Sequence, residues 1–174
     1  MRLLVLCCFS FFIVTTSCKS DKVSEVIVET QEQKDAKTIS KIDIDGIRFD
    51  DYGLSAESKK AVTDWQKFQE LNHHTEALKT ADLTFFVEDP LIVKTLMQEL
   101  RAEMPKTLQT NEILARITAL NTKLQKLNSL LRISNIDKTQ KIQAIREYFV
   151  TMSNLNLQMN KKFEFEKNNV LKPQ

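Results

Sequence analysis

The sequence predicts an all-α fold: a three- to four-helix antiparallel bundle with coiled-coil-like packing, preceded by a flexible tether. Three observations lead there. Ile113, Ile117, Leu120, Leu124, Leu127 and Leu131 step by four, three, four, three and four, which lines one seam of a helix. Ile142, Ile145, Phe149, Met152, Asn156, Met159 and Phe163 repeat the alternation, so a second helix can lie antiparallel on the first. Only two glycines and three prolines occur in 174 residues, none inside the periodic stretches, which is too few for a turn-rich β architecture.

Taken in order, the chain begins with Met1-Arg2, a mostly apolar run over residues 3–14, and then Thr15-Thr16-Ser17-Cys18. One positive charge, a short apolar run and small residues at its exit describe a signal peptide over residues 1–17. The run is shorter than the ~20 residues that span a bilayer. Cys7 and Cys8 lie within it, so Cys18 is the only thiol beyond. A single cysteine builds no internal disulfide, thiolate zinc site or CxxCH haem attachment.

This leader resembles a bacterial lipoprotein signal, whose lipobox ends in a small residue followed by the cysteine that is acylated. Ser17-Cys18 matches that end and Thr16 fits it, while Thr15 stands where leucine is usual. The resemblance covers the first 18 residues. It implies that Cys18 is the lipidation site and the mature N-terminus, that the chain is held in the membrane of the bacterial cell envelope, and that Lys19 directs it to the outer membrane. Either the periplasmic face or the cell surface fits. Each buried methylene of an acyl chain contributes ~0.8 kcal/mol, so two or three chains give lasting attachment.

Residues 18–38 read as an acylated, charged and flexible tether. In residues 39–54, Ile42, Ile44, Ile47 and Phe49 alternate with Asp43, Asp45, Arg48 and Asp50 around Asp45-Gly46. That pattern predicts an extended segment or small β-hairpin leaning on the bundle. A calcium loop centred on Gly46 would need carboxylates where Lys41 and Tyr52 stand, so the acids read as turn residues.

The helical bundle occupies residues 55–168. Ser55 caps a helix expected to run to Leu78, with Ala61, Trp65, Phe68, Leu71 and Leu78 inside. Residues 80–88, with Leu83, Phe85, Phe86 and Val87, read as an apolar plug at one end. Asp89-Pro90 starts a second helix burying Val93, Leu96, Met97, Leu100 and Met104, and Pro105 stops it. Thr110 opens the third, where Arg116, Thr118, Asn121, Thr122, Lys123, Gln125, Lys126 and Asn128 suit a wet face. Asp137 and Gln140 resemble a capping box at the start of the fourth. Residues 169–174 should fray.

The chemistry offered is sparse. Residues 19–89 carry 16 acids and 10 bases, residues 90–174 carry 7 acids and 14 bases. The difference of −6 against +7 is spread over helix faces, so no nucleic-acid partner is expected. Glu70-Leu71-Asn72-His73 matches half of a di-iron motif, but the one other histidine, His74, adjoins it and no second half exists. Met97/Met104 and Met152/Met159 repeat at seven residues; thioethers suit cuprous copper, though methionine at helical spacing is ordinary core filler. Asn154, Asn156, Gln158 and Asn160 form one unusual polar cluster that suits recognition of a peptide or sugar, and Asn156 on the seam suits a register-setting or partly exposed amide. No catalytic residues, cofactor or metal site are expected. The partners expected are the membrane, another envelope protein, and a second copy of the chain if the 113–131 seam pairs between molecules; a small-molecule- or metal-binding bundle is the alternative.

Overall fold

A computed structural model describes residues 38–168; the expected signal peptide, Cys18, the expected tether up to residue 37 and the end beyond residue 168 lie outside the described residues. Among the described residues all regular structure is helical. Six α-helices follow one another: α1 (Lys41–Asp45), α2 (Ala56–Ala61), α3 (Gln66–Lys79), α4 (Pro90–Ala102), α5 (Asn111–Arg132) and α6 (Lys138–Asn168). Short 3-10 turns at Phe85–Val87 and Lys106–Leu108 join the middle ones.

The caps explain the starts. Ser55 accepts from the Ser58 amide at 3.1 Å, Asp89 from Leu91 at 2.8 Å ahead of Pro90, and Thr110 from Ile113 at 3.3 Å. At the end of α3 the Asp82 amide reaches the Ala77 carbonyl and the Ala81 amide that of Leu78, a Schellman closure. It holds Ala81 at φ 69°, where a Cβ is unfavourable. Ala81→Gly should therefore raise stability by ~0.5–1 kcal/mol in urea unfolding; an unchanged or lower midpoint would contradict this strain.

The four longer helices run alternately up and down. Lys67 of α3 pairs with Glu99 of α4 at 2.9 Å, and both Lys123 and Lys126 of α5 reach Glu147 of α6 at 3.0 and 2.9 Å. These two ammonium groups hold the Glu147 carboxyl down at about 2. α5 and α6 share the largest interface, with α4 on α5 and α3 on α4. A buried Thr75–Tyr148 hydroxyl pair at 2.7 Å ties α3 back to α6. The seam residues Ile113, Ile117, Leu120, Leu124 and Leu127 are all buried, so that seam is covered within one chain.

Three expectations are corrected. Of the two alternatives for residues 39–54 the hairpin does not form and the extended segment holds only beyond residue 46: residues 41–45 are α1, opened by a capping box in which Ser40 and Asp43 bond reciprocally. Gly46 has φ −73°, whereas the tight turn expected at Asp45-Gly46 requires φ above zero. The acids of this stretch have other partners, Asp43 with Lys138, Asp45 with Lys41 and Asp51 with Lys79, each at 2.7 Å. The helix expected from Ser55 to Leu78 breaks after Ala61. There Thr63 bonds back to the Lys59 carbonyl at 3.0 Å, and Val62 and Trp65 turn fully into the core. Asn128, assigned to the wet face of α5, is buried; its amide donates to the carbonyls of Phe86 at 3.1 Å and Glu88 at 2.9 Å.

Residues 46–55 form an extended strap along α6. Arg146 Nε donates to the Arg48 carbonyl, Ser153 Oγ to Asp50, Asn156 Nδ2 to Tyr52 and Asn160 Nδ2 to Gly53. In return, Ser153 Oγ and Asn160 Oδ1 accept from the amides of Tyr52 and Ser55. The match is geometric. Residues 48–55 extended at ~3.3 Å each cover ~23 Å, and residues 146–160 at 1.5 Å each cover ~21 Å.

Candidate functional site

The polar cluster on α6 does not assemble into one site. Asn156 and Asn160 are committed to the strap, while Gln158 lines a shallow C-terminal groove beside exposed Phe165. Asn154 is half-buried on a different side of the helix. A cleft of about 290 Å³ under the strap is lined in part by Asn72, Glu76, Lys79 and Asn156, and the enclosed Asn156 Oδ1 has no hydrogen-bond partner. The methionines of both seven-residue pairs lie in the core. Among the described residues no three of His, Cys, Asp and Glu gather as metal ligands, and no helix is long and apolar enough to cross a membrane.

The surface that stands out is at the start of α4. Asp89 and Pro90 fix the first turn, and the helical period then turns Val93, Leu96, Met97 and Leu100 inward. Leu91 and Ile92 fall on the opposite side, 68% and 50% exposed, with Val87 at 44% just before them. Large apolar side chains exposed this closely together are the mark of a contact surface. Asn128 holds this turn in place by bonding the two carbonyls that lead into it.

A hollow lies on each side of this ridge. One is a groove of about 640 Å³ between α4 and α5, whose walls include Pro90, Leu91 and Val93 on one side and Ser129, Arg132 and Ile133 on the other. Its two charged lining residues, Lys94 and Arg132, are both cations, both exposed, and neither pairs with an acid among the described residues. The other side carries Lys67, Glu70 and Glu99, already joined in ion pairs, and then His73, His74 and Asp82. Sequence reading missed the groove, because its walls lie some 40 residues apart in the chain. The available signal was Leu91 and Ile92, two apolar residues out of phase with the inner stripe of α4.

His74 belongs to this neighbourhood and is not a simple surface residue. Its ring stacks on Phe85, centroids 4.0 Å apart and planes within 5°. Burial there lowers its pKa from the ordinary 6.5; nearby Glu70 and Asp82 pull upward and His73 downward. The fold thus favours the neutral ring. This contribution is complete above pH 6.5, the ordinary value, and is lost as pH falls below it, where the unfolded chain takes up the proton first. Between about pH 7 and pH 5, the urea midpoint of His74→Leu should fall less than that of the parent chain; parallel curves would contradict the assignment.

Comparison of the chain with protein families, curated proteins and solved structures found no match.

Proposed function

We propose that this chain is a bacterial lipoprotein of the cell envelope, held in the outer membrane through acylated Cys18, whose helical bundle acts by docking another envelope protein without catalysis. The anchor rests on the lipobox-like Thr16-Ser17-Cys18 at the end of the apolar leader. The docking role rests on one observation, the exposed ridge of Val87, Leu91 and Ile92 beside an open groove. Palmitate labelling should attach to the chain and disappear in Cys18→Ser, with release from the membrane fraction; persistent labelling would end the anchor reading. A photocrosslinking residue at position 91 of the intact chain should give discrete adducts in envelopes, and one at exposed position 122 should not. Matching smears from both positions would end the docking reading.

A second reading, a small polar ligand in the cleft under the strap, is favoured by the unpartnered Asn156 Oδ1. A melting-temperature rise with millimolar amino acids or monosaccharides, lost in Asn156→Leu, is its signature. A flat response across that panel would remove it.

A further inference from the structure

We infer that the α4/α5 groove receives an acidic amphipathic helix from the partner protein. This deepens the docking reading above and depends on it. The first ground is shape. The groove is a concave channel walled by two antiparallel helices, and residues 125–133 of its α5 wall extend over ~12 Å, which matches about two turns of a guest helix. Leu91 and Ile133, both exposed, supply apolar contact for guest side chains spaced three or four apart.

The second ground is charge. The lining holds Lys94 and Arg132 and no carboxylate, and neither cation has an acidic partner among the described residues. Lys94 sits one turn into α4 and Arg132 on the last turn of α5, so the channel is cationic along both walls. A guest with carboxylates flanking its apolar stripe satisfies both, and a basic guest is repelled. A flat anionic bilayer fits less well, because the apolar surface lies within a groove between two helices.

The test uses the full lipidated chain in detergent and two fluorescein-labelled synthetic helices. Both carry leucines at i, i+3, i+4 and i+7; one is flanked by glutamates and the other by lysines. The acidic helix should bind, the basic one should bind at least roughly tenfold more weakly, and added salt should weaken the acidic complex. Lys94→Glu with Arg132→Glu should reverse the preference with the helical circular-dichroism signal intact, and Leu91→Asp should weaken both helices. Equal affinity for the two peptides, no binding of the acidic one, or indifference to the charge reversal would overturn the inference. So would capture of the unlipidated Cys18→Ser chain by anionic phosphatidylglycerol vesicles that Lys94→Glu with Arg132→Glu abolishes, or a concentration-dependent doubling of mass that Leu91→Asp abolishes, which would assign the groove to a second copy. Adducts from position 91 without acidic-helix binding would sink this inference and leave the docking reading standing; loss of both would sink the two together.

Discussion

Trp65→Ala is expected to destabilise the domain by about 4 kcal/mol, read as a lower urea midpoint with an unchanged slope. Trp65 is the largest fully buried side chain, stacked on Phe68 with centroids 5.2 Å apart. Its indole N–H also donates to the Leu100 carbonyl at 2.9 Å. Leu100 lies in the last turn of α4, where carbonyls lack an intrahelical partner, so the indole closes that helix end while filling the core. Truncation leaves a void and an orphaned acceptor together. Trp65→Phe separates the two effects by keeping most of the volume, and should cost about 1–2 kcal/mol. With total stabilities commonly about 5–15 kcal/mol, the alanine variant would stand near the edge of folding. Loss of less than about 1 kcal/mol in Trp65→Ala would contradict this packing.

Asn128→Ala is expected to cost about 2 kcal/mol, because the enclosed Phe86 carbonyl and the partly buried Glu88 carbonyl lose their donor at once. The effect should be uneven. Amide exchange should accelerate first over residues 83–92, which the amide pins against α5, while the α5/α6 pair keeps its protection. The same change should weaken crosslinking from position 91, because Leu91 and Ile92 ride on the pinned turn. Uniform acceleration throughout the bundle would show that Asn128 acts on global stability alone.

Asn128 also marks what the sequence could and could not disclose. The α5 seam and the caps at Ser55, Asp89 and Thr110 were legible, because a helix writes its buried face and its ends into neighbouring residues. What a polar side chain bonds across the fold is written nowhere locally. Asn128 finds its carbonyls 42 and 40 residues away and Asn156 its carbonyl 104 away, so the first read as wet and the second as a register mark. The hairpin failed for a related reason. Alternation in residues 42–50 was visible, but so was the Ser40-Lys41-Ile42-Asp43 spacing of a capping box, and the cap decided the backbone. The break after Ala61 leaves no glycine or proline as a warning, only Thr63 bonding its own helix. The groove was illegible because no single segment contains it.

The strap has a mechanical consequence. Residues 48 to 55 advance in the same direction as residues 146 to 160, with side-chain bonds spaced along the whole overlap. Tension drawn along that shared axis loads these bonds in parallel, as a shear joint, and they must yield together. Tension drawn outward loads them one after another, as a peel. The bundle is therefore built to resist axial pulling at its leading end far better than sideways lifting.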